Sequence, residues 1–151
     1  MTDAAVFEAV TIQTYLAAVD SGILVNAPAE LNLTSAAQVY LGHHNEHLAY
    51  FNQNFSEHNF PQVSADDHQA DSRIAGVTTW QEAIQLTLTM EFEAAQFYYS
   101  RMNDQLTTQH VRKIFADVFP IEVGHVISYK LALGQSPYID AGIFQNLTTG
   151  L

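Results

Sequence analysis

The sequence predicts an all-α fold: a four-helix bundle made of two antiparallel helix hairpins joined by a crossover connection, followed by an irregular C-terminal tail. Three observations carry this expectation. Apolar residues recur at three- and four-residue spacing over four segments, and the breakers fall between those segments rather than inside most of them. The links between the first and second segments and between the third and fourth are short, whereas the link between the second and third is long. With 151 residues and 48% hydrophobic content, the chain fits one domain spanning residues 1–151.

The first helix is expected to start at about Asp3, a plausible N-cap, and to bury Val6, Ala9, Val10, Leu16 and Ala17 before Ser21-Gly22. A polar connection containing Pro28 leads to a second helix that starts near Thr34 or Ser35. It carries Val39, Tyr40, Leu48, Phe51 and Phe55 and ends before Asn59-Phe60-Pro61. Residues 61–77 have few large apolar side chains, so a mobile loop is expected there. A third helix is expected to start after Thr78 or Thr79, where Thr78 and Gln81 have capping-box spacing, and to pass through Ile84, Leu88, Phe92, Ala95 and Phe97 to about Leu106. The fourth follows Thr107-Thr108, carries Val111, Phe115, Val118, Phe119, Val126, Ile127 and Leu131, and closes at Gly134. Pro120 inside it predicts a kink or short break near residues 116–120. In the tail, Tyr138, Ile139, Ile143, Phe144 and Leu147 suggest packing against the bundle.

Composition narrows the chemistry. There is no cysteine, so disulfides, thiolate metal sites and cysteine nucleophiles are excluded, and any metal must use His and carboxylates. A formal charge of −11 makes nucleic acid a poor partner. No apolar run is long enough to span a membrane. No signal peptide is visible, which makes the cytoplasm the default compartment, or export if Met1 replaces a removed leader.

The seven His outnumber the five Lys and Arg, and their placement is informative. At ~100° per residue, His44 and His47 share a stripe with Tyr40, Leu48, Phe51 and Phe55. Glu91 aligns with Ile84, Leu88, Ala95 and Tyr98; Glu122 and His125 align with Phe115, Val118, Val126 and Tyr129; Gln13 falls between Val6, Ala9, Val10, Leu16 and Ala17. Arg73, Arg101, Arg112, Lys113 and Lys130 lie off these stripes, so an inward carboxylate must protonate, pair with His or bind a cation. His44, His47, Glu91, Glu122 and His125 are therefore the candidate metal ligands, a mixed nitrogen and oxygen set suited to iron, manganese or zinc. Each alone has an ordinary explanation as a hydrogen-bonded core residue. Glu122-x-x-His125 has the spacing that points both side chains inward from one helix. His43 is expected at the surface, with a pairing of His43 and His47 as the alternative. Glu46, Glu93, His58, His68 and His110 are expected to be solvated or in loops, Glu8 at the surface, and Tyr98 and Tyr129 in the core.

The chain resembles the ferritin-like superfamily, in particular the bacterial branch related to rubrerythrins and desiccation-associated proteins. The resemblance spans nearly the whole chain and is carried by Ala9-Val10-Thr11-Ile12-Gln13, His44-x-x-His47, Met90-Glu91 with Ala94, Ala95 and Tyr98, Glu122-x-x-His125 and Leu133-Gly134-Gln135-Ser136-Pro137. It implies a Glu from the first helix, Glu-x-x-His from the second, a Glu from the third and Glu-x-x-His from the fourth. Glu91, His47, Glu122 and His125 match, whereas Gln13 and His44 stand where Glu is implied. The loss of two carboxylates favours one metal, or an unequal pair bridged by Glu91 and Glu122. The implied function is iron or manganese binding, with zinc a further option. Oxidase- or peroxidase-type chemistry with dioxygen or peroxide follows if an open position remains, and a homodimer is the implied assembly. The alternatives are a non-catalytic stress or structural module with a degenerate site, and iron storage, which needs a many-subunit shell. The sequence leaves open whether the chain is an enzyme.

Overall fold

The computed structural model describes residues 1–137, and the expected packing of the tail beyond them lies outside the described residues. Those residues form four α-helices, α1 (Thr2–Asp20), α2 (Leu33–Glu57), α3 (Trp80–Asn103) and α4 (Gln109–Ala132), with short 3-10 turns in the connections and no strand. The chain divides into two compact units, Met1–Thr87 and Leu88 onward, with the boundary inside α3. No described helix is long and apolar enough to cross a membrane.

In the first unit α1 and α2 pack as a hairpin. Glu8 faces His47 and Tyr15 lies against His44, so the partners descend along α2 as they ascend along α1, the mark of antiparallel helices. The cap of α1 is Met1, not Asp3: the Ala5 amide donates to the Met1 carbonyl at 3.1 Å, leaving Asp3 in the first turn, where its charge complements the helix dipole. At the other end Gly22 adopts a left-handed φ of 70°, which a side chain would resist, and the helix stops where the Ser-Gly pair predicts.

The buried face of α1 differs from the expected one. Ala4, Ala5, Glu8, Ala9, Thr11, Ile12, Tyr15 and Ala18 face inward, while Leu16 is 37% exposed. Apolar residues lie all around this helix, so its pattern has no strong phase. Small residues then allow the close approach of a neighbour and take the inner face. On α2 the stripe of His44, His47, Leu48, Phe51 and Phe55 is buried as expected, whereas Val39 is 54% exposed.

Residues 58–79 form a strap tied down by polar contacts, in place of the mobile loop expected from its scarcity of apolar anchors. Asn52 pairs with Val63 in both directions, donating to its carbonyl at 2.7 Å and accepting from its amide at 2.8 Å. Gln13 donates to the Ala65 carbonyl at 3.1 Å, and the Asp71 amide donates to the Thr14 hydroxyl at 2.8 Å. Buried amide and hydroxyl partners thus substitute for the missing hydrophobic contacts.

α3 starts directly after Thr79, one of the two expected starts, and its capping box pairs Thr79 with Glu82 in place of Thr78 with Gln81. The Glu82 amide donates to the Thr79 hydroxyl at 3.2 Å, and the Glu82 carboxylate accepts from the amides of Thr78 and Thr79 at 2.8 and 3.0 Å. These contacts hold the Glu82 carboxyl below its usual range, the Thr78 amide having the largest effect. The helix ends at Asn103, short of Leu106, because Asp104 turns the chain and Arg112 donates to the carbonyls of Asp104 and Thr107 at 3.0 and 2.9 Å.

In the second unit Tyr98 stacks on Phe115 with centroids 5.5 Å apart, and Tyr99 packs on Phe119. Glu91 meets His125 further along, so α3 and α4 also run antiparallel. Thr108 caps α4 by accepting from the Val111 amide. The helix continues through Pro120 without the expected break, flanked by buried Phe115, Val118 and Glu122. It closes with Gly134 at φ 69°, the Gly134 amide bonded to Leu131 and the Gln135 amide to Lys130, a Schellman ending.

Candidate metal-binding triads

The polar residues buried within the first unit include one group that α1 and α2 assemble jointly. Glu8 lies one turn before Thr11 and Ile12 on the inner face of α1, and His44 and His47 lie one turn apart on the inner face of α2. Glu8 Oε2 is 2.7 Å from His44 Nδ1, and Glu8 Oε1 is 3.5 Å from His47 Nδ1. The carboxylate therefore spans both imidazoles. Donor atoms of the three residues lie within 4.8 Å of one another. The His44 ring is wedged between Tyr15 at 5.1 Å and the edge of His47 at 5.8 Å, which limits its rotation.

Burial raises the Glu8 carboxyl and is the largest single influence. The attraction of His44 and the hydrogen bonds from His44 and His47 together outweigh it, bringing the group from 4.5 to about 2. Glu8 is therefore an anion in a fully buried position. Thr11, beside it on α1, is also fully buried, and its hydroxyl has no hydrogen-bond partner among the described residues.

The second unit holds a triad of different composition. Glu91 comes from α3, and Glu122 and His125 come from one face of α4. His125 Nδ1 lies 3.1 Å from Glu91 Oε2 and 3.3 Å from Glu122 Oε2, and donor atoms of the three residues fall within 4.8 Å of one another. Burial pushes His125 down most strongly. Hydrogen bonds to Glu122 and Glu91, together with the charges of both, more than reverse this and hold the imidazole above its ordinary 6.5.

No Lys or Arg is buried among the described residues. Arg73 pairs with Asp71 and Lys113 with Asp117, and both pairs are solvent-accessible. The buried carboxylates thus have imidazoles as their charged partners. Each triad brings carboxylate oxygens and imidazole nitrogens close together, a donor set that could hold a metal ion.

All five ligands expected from the sequence are buried. Glu91, Glu122 and His125 come together, and so do His44 and His47. Glu8 was expected at the surface, yet it is fully buried and stands with His44 and His47. Gln13 is not the inward polar group of α1; it is half-buried and holds the strap through Ala65. The signal for Glu8 lies in the spacing Ala4, Glu8, Thr11, Tyr15, Ala18, a helical stripe whose small members carry less apolar weight than Val6, Val10 and Leu16. With Glu8 included, the first unit buries one carboxylate, Glu8, with His44 and His47, and the second buries two, Glu91 and Glu122, with His125.

Comparison of the chain with protein-family models, with curated proteins and with solved structures returned no match.

Proposed function

We propose that this chain is a metal-binding helical protein of the ferritin-like kind, holding iron or manganese within its helices and using it for oxidase- or peroxidase-type chemistry. The observation that carries this reading is the burial of two His and carboxylate triads in a core that contains no described Lys or Arg. Isolated buried carboxylates are costly, and a divalent cation is the partner that satisfies several of them together with neutral imidazoles. The donor set fits such an ion: Glu8, His44 and His47 would hold it in one hairpin, and Glu91, Glu122 and His125 in the other. A bound redox metal would supply one-electron chemistry toward dioxygen or peroxide.

The protein's own contribution is to keep donors deprotonated and aligned. Glu8 is already ionised, Tyr15 restrains His44, and binding a cation displaces the proton shared by Glu8 and His44. The long strap between α2 and α3, tied to α1 through Gln13 and Thr14, is the kind of connection a crossover bundle requires. A homodimer completes this reading.

Elemental analysis of protein purified without an affinity tag, paired with thermal unfolding in the presence of Fe(II), Mn(II) or Zn(II), tests it. Bound metal and a raised Tm that Glu8→Gln and Glu122→Gln diminish are expected. Protein that is metal-free as isolated and is not stabilised by any of the three ions would overturn the proposal.

A second reading is supported by the 2.7 Å contact between Glu8 and His44, since a proton alone can satisfy that pair. On this reading the chain is a non-catalytic stress or structural module. Added metal would then leave the stability of the native protein and of its Glu91→Ala and Glu122→Ala variants unchanged.

A further inference from the structure

Thr11, Thr14 and Thr87 are all buried in helices of the first unit, but their hydroxyls are satisfied differently. Thr14 donates to the Val10 carbonyl at 2.8 Å, and Thr87 to the carbonyls of Ala83 and Ile84 at 3.2 and 3.1 Å, the back-bonding that a helix offers to a buried hydroxyl. The Thr11 hydroxyl makes no such bond and has no hydrogen-bond partner among the described residues, although the residue is fully buried. A hydroxyl held away from its own helix is unfavourable in a core unless another group takes the bond, since valine would fill the same space without a polar atom. Thr11 stands between Glu8 and Tyr15 on one stripe of α1, and both neighbours face imidazoles of α2. Glu8 lies 2.7 Å from His44 and 3.5 Å from His47, and the Tyr15 ring lies 5.1 Å from that of His44.

We propose that Thr11 recognises a small anion bound beside Glu8, His44 and His47, its hydroxyl donating a hydrogen bond to that anion on the metal these residues hold. This rests on the reading of Glu8, His44 and His47 as metal ligands. The chemistry of the hydroxyl selects the class of ligand. A metal-bound Glu8 carboxylate accepts hydrogen bonds and donates none, so an anion that needs a donor finds it in Thr11, which supplies one without adding a charge. The metal is required, because the charge of Glu8 alone would repel an anion placed beside it. Glu8, Thr11 and Tyr15 are all fully buried, which limits the anion to a few atoms, and azide represents it.

The test uses the full chain loaded with Co(II), whose visible absorption reports its ligands, and azide as the anion. Azide should change that absorption in the native protein, and Thr11→Val should raise the azide Kd about 10-fold while Co(II) binding stays the same. Thr11→Ser, which keeps the hydroxyl, should restore the native azide affinity. A second readout needs no metal. In urea unfolding of the metal-free proteins, Thr11→Val should be at least as stable as the native chain, whereas Thr14→Val, which removes bonds already made, should be less stable. With Co(II) bound, no response to azide, or equal azide affinity in native and Thr11→Val protein, would overturn the role of Thr11 and leave metal binding intact. So would weaker Co(II) binding by Thr11→Val, which would make the hydroxyl a metal ligand, or a metal-free Thr11→Val protein that is destabilised or does not fold, which would give the hydroxyl a partner within the protein. Native protein that binds no Co(II) would overturn metal binding and this inference together.

Discussion

The carboxylate of Glu8 reaches Nδ1 of His44 at 2.7 Å across the α1–α2 hairpin, joining the acid on the inner face of α1 to a buried imidazole of α2. Both side chains are buried, so the pair is strong only while it stays charged or proton-bridged. Removing one partner leaves the other without its counter-charge. Glu8→Gln is expected to cost the metal-free protein about 3 kcal/mol at neutral pH, measured by urea unfolding. The pH dependence has a definite sign. A carboxyl lowered from 4.5 to about 2 contributes stability that is fully present above 4.5 and is lost as pH falls through about 2. The gap in stability between the native protein and Glu8→Gln should therefore hold steady above pH 4.5 and close toward pH 2. A gap that is the same at both ends of that range would contradict the pairing.

His125 acts in the opposite direction. Its imidazole is held above 6.5 because hydrogen bonds to Glu122 and Glu91 and the charges of both outweigh the larger single effect of burial. Such a group stabilises the metal-free fold below 6.5, and that contribution disappears as pH rises through the folded-state value. His125→Gln should flatten this part of the stability profile. Metal binding at Glu91, Glu122 and His125 must also expel the proton from His125, so affinity should rise with pH across this window. Calorimetry in two buffers with different ionisation heats would detect the released proton, and identical apparent enthalpies in both buffers would exclude its release.

How much of this was legible in the sequence depends on the phase information each helix carries. α2 alternates charged or amide residues with large apolar ones, so the inward placement of His44 and His47 follows from spacing alone. Glu91, Glu122 and His125 are legible for the same reason. α1 has apolar residues all around, and its inner face is made of Ala, Thr and Tyr, so size ranked Val6, Val10 and Leu16 above the true stripe and hid Glu8. The order of the strap is hidden from the sequence for a related reason. Its order depends on Gln13, Thr14 and Asn52, polar residues of distant elements whose partners are backbone groups, and periodicity carries no information about such pairings.

The cap of α3 offers a direct contrast between neighbouring residues. Thr79 accepts from the Glu82 amide, and Glu82 reaches back to the amides of Thr78 and Thr79, whereas Gln81 is exposed at the position the sequence spacing suggested. Thr79→Ala should lower stability by about 1 kcal/mol, as loss of a helix N-cap does. Gln81→Ala, at an exposed site in the first turn, should change it by less than about 0.5 kcal/mol. Equal effects in chemical denaturation would return the cap to Thr78 and Gln81.

The strap supplies the last prediction, because its anchorage to α1 is specific enough to be read one amide at a time. The Thr14 hydroxyl donates to the Val10 carbonyl at 2.8 Å and accepts from the Asp71 amide at 2.8 Å, so one side chain joins the helix to the strap. Beyond that point Asp71 is itself fixed, accepting from the Arg73 amide and guanidinium, with the guanidinium hydrogen bonds holding its carboxyl below the usual range. Thr14→Val keeps the shape of the side chain and removes both bonds. The Asp71 amide, slow to exchange in the native protein, should then exchange at the rate of an open loop, while amides in the middle of α1 keep their protection. The global loss of stability should be about 1–3 kcal/mol, the cost of leaving a part-buried amide without its acceptor. Fast exchange of Asp71 in the native protein would mean that the strap is not held by Thr14, and the mobility expected from its composition would stand.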